Sequence, residues 1–432
     1  MKKLLKKLSS ARIIAIGFAT LILLGSFLLC LPCCVKENVQ LKYLDALFTS
    51  TSAVCVTGLV VCDTADTFTA FGQFIIGTLI QFGGLGVAAV GAGIILAVAK
   101  KLDIKSTSLI RESMNLSSGK GIAKFLISIF FITVIFELLG ALFSFVVFIK
   151  DFPPLKAMGI SLFHSVASFN NAGFDILGNY QNLIPYRSNI LLNIITCALI
   201  YFGGIGFLLI REIIDKKFNW RKFSMHTKVV LSTSFILIVF GTLLIKFTEN
   251  ISWLGAVFTS ISARTAGFST YSLGDFTNAG LIVMALLMFI GASPGSTGGG
   301  IKTTTIFALL IGIKSSATNK TEKAFKYTMP SEAFRKAAII VMMGLAVVIC
   351  GTYLMLVFEP GIDFIDIFFE IVSAFGTVGL STGITPTLTD PSKLLTIVIM
   401  FIGRLGPMTI ATIWHFTKGE RVKYPEGNIA IG

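Results

Sequence analysis

The sequence predicts an all-α integral membrane protein built from four fused copies of one unit, eight spans in all, and three observations predict it. Hydrophobic residues make up 54% of the 432-residue chain and charged residues 13%, a balance outside that of water-soluble domains. Eight apolar stretches come close to or exceed the roughly 20 residues that cross a bilayer, at 13–31, 71–99, 125–149, 189–210, 229–246, 281–313, 337–357 and 394–416. Four short segments, 52–59, 167–174, 262–268 and 373–380, each end in a glycine followed by Leu or Phe. The glycines Gly58, Gly173, Gly267 and Gly379 are separated by 115, 94 and 112 residues, close to a quarter of the chain, which marks internal repetition. The units are expected at 1–105, 106–215, 216–325 and 326–432, the last including a C-terminal tail.

Charge sets the orientation. The formal net charge of +14 would raise nucleic acid as a partner in a soluble chain, but its distribution points to a lipid bilayer instead. With both termini cytoplasmic, five Lys and Arg precede the first span, six lie in each of three connections and three follow the last span, against seven outside. That is the positive-inside pattern of a multi-pass protein of the plasma membrane. Thirteen acids fall outside, Asp45, Asp63, Asp66, Asp175 and Glu370 among them, and eight inside. An acidic mouth with low-dielectric walls gathers cations. The first apolar stretch belongs to the first unit and is expected to remain as a span rather than act as a cleaved signal. Seven cysteines show no convincing disulfide framework and are expected as packing thiols, with a disulfide near Cys62 a minor alternative.

Between the two spans of each unit lies a half-apolar segment, at 42–54, 157–169, 252–264 and 364–375. A 12-residue helix covers about 18 Å, enough to enter a membrane halfway. The chain must then return as non-helical backbone, which survives at that depth only when buried in protein or lining a watery cavity. Each unit is therefore an outer helix, a pore helix, a filter loop and an inner helix, and four of them suit a pseudo-fourfold central pore. A phenylalanine stands ten residues before the glycine in three copies (Phe48, Phe163, Phe369) and nine before it in the third (Phe258), where one residue is missing. A second landmark follows in the next span, ending at Gly84, Gly204, Gly291 and Gly403.

Rings of backbone carbonyls aimed at an axis replace a cation's water shell, and glycine brings backbone to that axis without a side chain. The filter is thus expected at Val56, Thr57 and Gly58; Asn171, Ala172 and Gly173; Thr265, Ala266 and Gly267; and Thr377, Val378 and Gly379. The last triplet matches the opening of the potassium-channel filter, with Leu380 where that filter has tyrosine. Small residues also serve plain helix packing in membranes, but four in register argue for a shared site.

Together these loops resemble those of the Trk/Ktr/HKT superfamily of potassium transporters, over essentially the whole chain. Within it the chain is similar to the membrane subunits of Ktr uptake systems, because it lacks room for the two extra N-terminal spans of Trk subunits and its tail, 424–432, is Ktr-like. The resemblance implies passive or sodium-assisted potassium uptake, with potassium, and sodium beside it, as transported ions rather than cofactors. It also implies a homodimer and a cytoplasmic nucleotide-binding regulatory ring (KtrA-like). Any nucleotide control must come from such a partner, since Gly83 to Gly86 lies in a span and not after a strand.

The sixth span is interrupted at 292–300, where one proline and four glycines cannot sustain an α-helix. Gly295, Ser296, Thr297, Gly298, Gly299 and Gly300 are the expected gating loop, a use the resemblance also implies; a structural kink is the plainer alternative. A phosphate loop at Gly298–Lys302 is disfavoured because Ile301 intervenes and no strand precedes it. Arg404 sits in the last span, where a charge costs ~2.5–3.5 kcal/mol on insertion scales. Facing the pore it would repel cations and hold the loop by its carbonyls; otherwise it snorkels or pairs with Glu137, the only acid inside a span. Arg264 is expected to brace loop backbone from behind, and His164, His226 and His415 to be structural. No trio of residues suggests an enzyme. An alternating-access carrier would need inverted or paired repeats, whereas these copies share one orientation; an unselective sodium and potassium channel is the other alternative.

Overall fold

The computed structural model describes residues 9–86, 89–93, 121–330 and 332–413, which are mostly helical. The N-terminal basic run, the connection expected to hold the 105/106 boundary, and the tail with His415 lie outside the described residues. Within the bounds expected for the first unit, α1 (Ser10–Leu29), α2 (Tyr43–Cys55) and α3 (Ala70–Leu85) follow one another. The second has α4 (Ile122–Phe148), α5 (Pro154–Phe169), α6 (Ile190–Ile205) and α7 (Phe207–Asp215). The third has α8 (Met225–Thr248), α9 (Trp253–Ser262), α10 (Asn278–Phe289) and α11 (Thr303–Thr318). A small hairpin of β1 (Lys323–Ala324) and β2 (Tyr327–Thr328) leads into α12 (Glu332–Phe358), α13 (Phe364–Gly376), α14 (Asp390–Leu405) and α15 (Pro407–Ile413).

Among the described residues, only the outer helices α1, α4, α8 and α12 are long and apolar enough by themselves to cross a membrane. The four inner spans expected from hydropathy are broken helices. Three break at one glycine with φ between 85° and 97°, Gly86, Gly206 and Gly406, and at Gly206 the chain turns by 96° between α6 and α7. The fourth break is the loop 290–302 between α10 and α11. Hydropathy averages over such a break because apolar residues continue on both sides of it.

Local sequence explains where the inner helices start. Thr69, Asn189 and Thr277 accept hydrogen bonds from the N–H of Gly72, Leu192 and Gly280, capping α3, α6 and α10. At α14 the N-cap residue Thr389 makes no such bond; its own N–H and hydroxyl donate to the Glu359 carboxylate at the end of α12, both at 2.7 Å. The short helices α2, α5, α9 and α13 have 13, 16, 10 and 13 residues, too few to cross.

Each outer helix packs on the short helix of its own unit, and each inner helix on the short helix of the next: α3 on α5, α6 on α9, α10 on α13, and α14 back on α2. These helix contacts form a closed circuit in chain order. One glycine on each outer helix permits this approach. A side chain at Gly25, Gly140 or Gly241 would lie 2.3–2.5 Å from the hydroxyl of Ser50, Ser165 or Ser260, and one at Gly351 would meet Ile399 and Ile371. The three hydroxyls donate to carbonyls one turn away, on Ile22, Glu137 and Ile238. This landmark recurs in all four units, yet nothing in the hydropathy marks it.

Candidate functional site: a ring of four glycine loops

The four loops have one backbone design. Two residues before each glycine stands a non-glycine residue in the left-handed region, Val56, Asn171, Thr265 and Thr377, with φ of 57°, 58°, 78° and 50°. The glycines follow with φ of 97°, 68°, 77° and 93°. Such φ values disfavour side chains and suit glycine. In three loops the N–H of the residue before the glycine bonds the carbonyl five residues back: Thr57 to Ser52, Ala172 to Ala167 and Val378 to Ser373. In the third, Ala266 reaches only four residues back, to Ser262, so the missing residue is absorbed in the turn that ends α9.

The glycines touch in a closed ring. A Cβ on Gly58 would lie 2.4 Å from the carbonyl oxygen of Ala172, on Gly173 2.8 Å from that of Ala266, on Gly267 2.2 Å from that of Val378, and on Gly379 2.2 Å from that of Thr57. The two residues before each glycine are fully buried: Val56, Thr57, Asn171, Ala172, Thr265, Ala266, Thr377 and Val378 all have 0% exposure. Ser52 and Ser373 accept from the N–H of Gly58 and Gly379 at 3.0 and 3.1 Å. Those serines begin the repeated segments, so their position was visible in the sequence although their role was not.

On the side where the loops leave the ring, all four glycines line a cavity of about 370 Å³ with Asp63, Asp175 and several hydroxyls. Asp63 accepts from the N–H of Asp66 and Tyr180, and Asp175 from the N–H of Leu177 and the amide of Asn182. Burial pushes the Asp175 carboxyl up to about 6; the Leu177 N–H opposes the rise and the Asp63 charge adds to it. Two other expected mouth acids are engaged elsewhere. Asp45 pairs with Lys393 at 2.7 Å, and Glu370 has 0% exposure, with one oxygen accepting from Thr385 and the other unpartnered.

On the opposite side the loop 290–302 lies against the ring. The N–H of Gly299 donates to the Thr377 hydroxyl at 3.0 Å, the hydroxyl of Thr297 to the Phe169 carbonyl at 3.3 Å, and the N–H of Ser293 and Thr297 to the carbonyls of Gly204 and Gly203. Gly295 accepts from the N–H of Phe207, and Ser296 donates to Ser293. Gly298 packs on the Thr265 side chain and Gly300 on Gly376. Lys302, beyond the expected gate, donates to the carbonyls of Gly298 and Gly299 at 2.7 and 3.2 Å.

Arg404 reaches this loop from α14. Its guanidinium donates to the carbonyls of Thr297, Gly83 and Gly84, joining the loop to the end of α3. Glu137 is not its partner; that carboxylate accepts from the amide of Asn170, which also bonds Gln81. Arg264 departs from expectation, since its guanidinium points away from the loops to the carbonyl and hydroxyl of Ser234 on α8. His164 is a packing residue, bonded to Thr196 at 2.9 Å between Phe148 and Phe268.

The second sequence landmark needs a shift by one residue. Gly83 and Gly203, not Gly84 and Gly204, are the equivalents of Gly403, because these three face the carbonyls of Val54, Phe169 and Phe375, each four residues before its loop glycine. Each also lies three residues before its bend glycine.

A family model described as TrkH, cation transport protein, matches residues 11–251 and 223–418. The chain belongs to the TrkH family. This TrkH-family chain is 38% identical to the potassium/sodium uptake protein NtpJ of Enterococcus hirae, across 100% of this chain and 99% of that one. It is 34% identical to Ktr system potassium uptake protein B of Bacillus subtilis, over 98% and 96% of the two chains. The crystal structure of the potassium transporter TrkH from Vibrio parahaemolyticus superposes with a TM-score of 0.73 at 20% identity, covering 94% of this chain and 85% of that one, and shares the fold.

Proposed function

We propose that this TrkH-family protein takes up potassium across the plasma membrane, as the membrane subunit of a Ktr-type system, through a pore at the ring of four glycines. The closed contact of Gly58, Gly173, Gly267 and Gly379 carries the reading. Backbone from four units meets there with no side chain between, and carbonyls so placed replace a hydration shell. The filter is formed by the triplets ending at those glycines, and the acidic cavity is its outer mouth, which puts both termini in the cytoplasm. The gate is Gly295 to Gly300, held by Arg404. Relatives named for Ktr potassium uptake, and one named for potassium and sodium, support the cation class. Sodium enters the reading as a second cation because only one glycine per loop is common to all four. The Ktr likeness supports a homodimer and a nucleotide-binding regulatory ring on the cytoplasmic face.

Flux in liposomes with potassium and sodium varied separately tests this. Uptake that favours potassium, and rescue of potassium-uptake-deficient cells at low external potassium with a regulatory partner present, are the expected results. Equal flux of the two ions would leave an unselective cation channel, and no flux of either would remove the transport reading.

A further inference from the structure

α7 continues α6 after a turn of 96°. Just beyond α7, residues 216–223 and the β1–β2 hairpin form one surface, joined by the Trp220 ring, whose centroid is 6.1 Å from Phe223 and 6.2 Å from Phe325. Phe325 in turn stacks on Phe307 of α11.

Three features of this surface are unusual. Apolar rings are presented outward, with Phe218 80%, Tyr327 49% and Trp220 46% exposed. Both aromatic turns are in left-handed backbone, Lys217 and Phe218 at φ 48° and 57° and Phe325 and Lys326 at 48° and 68°, a conformation bulky residues rarely adopt. Around the rings stand Lys217, Arg221, Lys222, Lys320, Lys323 and Lys326, all exposed. Neighbouring carboxylates do not neutralise them: Glu212 is taken up by Lys216, Ser224 and Thr227, and Asp215 lies 3.7 Å from Arg211. Glu322 is the one acid within the two segments.

We propose that this surface binds headgroups of anionic phospholipids in the adjoining leaflet, the rings seated at the interface and the ammonium and guanidinium groups on the phosphates. Amphipathic rings favour the headgroup level, and clustered Lys and Arg are drawn to an anionic leaflet. The pairing of outward rings with exposed Lys and Arg favours an anionic lipid headgroup over a protein partner as occupant. The inference is independent of which ion the ring conducts.

Trp220 is the natural reporter. The chain has two other tryptophans, Trp253 and Trp414, and Trp253→Phe with Trp414→Phe leaves Trp220 alone. The full chain is placed in phosphatidylcholine vesicles containing a small fraction of brominated phosphatidylglycerol or, separately, brominated phosphatidylcholine. Quenching by the anionic lipid is expected to be stronger by at least about twofold. Lys217, Lys222, Lys323 and Lys326→Gln together should bring the two to equality, as should high salt. Should the double Trp variant fold poorly, the difference between the unaltered chain and Trp220→Phe reads the same quantity. Equal quenching by both lipids in the unaltered surface overturns the proposal, and so does quenching by neither, which would leave the surface to a protein partner.

Discussion

The guanidinium of Arg404 and the carbonyl of Thr297, 107 residues apart in sequence, are hydrogen-bonded beneath the glycine ring. Because the same guanidinium also holds the end of α3 through Gly83 and Gly84, it ties the interrupted third inner helix to the first and fourth. A charged donor bound to carbonyls in a low-dielectric setting is among the stronger hydrogen bonds. Under the proposed function Arg404→Ala should free the loop and raise potassium flux in proteoliposomes. A fall in flux with loss of thermal stability would show that the arginine supports the fold instead.

At Gly379 a Cβ would meet backbone, the Thr57 carbonyl at 2.2 Å, on a residue with φ of 93°. Neither neighbour can rotate away as a side chain would. Gly379→Ser should therefore widen or distort the ring and lower the preference for potassium over sodium, read as the ratio of fluxes. An unchanged ratio in a folded variant would count against this ring as the filter.

Gly83 faces the Val54 carbonyl at 2.1 Å, whereas Gly159 on α5 has nothing within 4 Å. Overpacking costs about 1–3 kcal/mol, and replacing an exposed helical glycine by alanine gains up to about 1 kcal/mol. Thermal unfolding in detergent should thus separate Gly83→Ala, lowered, from Gly159→Ala, unchanged or raised. Similar midpoints would contradict the close contact of α3 with the first loop.

Asp175 lies outside the spanning helices, and its carboxyl is raised to about 6 by burial. It is charged above that pH and takes up a proton below it, so acidification removes one negative charge from the cavity. Potassium uptake at low external potassium should fall as the outer pH drops through this range. Asp175→Asn should show the lower rate at every pH and lose that part of the pH dependence; a retained step would assign it to another group.

The repeated loops were legible in the sequence because their backbone demands it: at Gly58, Gly173, Gly267 and Gly379 a positive φ and a facing carbonyl exclude side chains, so the same residue recurs at each. The short helices were legible by length, and the break at 292–300 by its proline and glycines. Packing between distant segments was not. That Gly83 rather than Gly84 matches Gly403 depends on which glycine faces the carbonyl of Val54 or Phe375. That Asp45 is spent on Lys393, 348 residues away, depends on α14 closing the circle onto α2. Arg264 turns to Ser234 for a similar reason, because α8 passes behind its loop. Local patterns record what each residue's own backbone requires, while the partner of a buried charge is chosen by whatever helix the fold brings beside it.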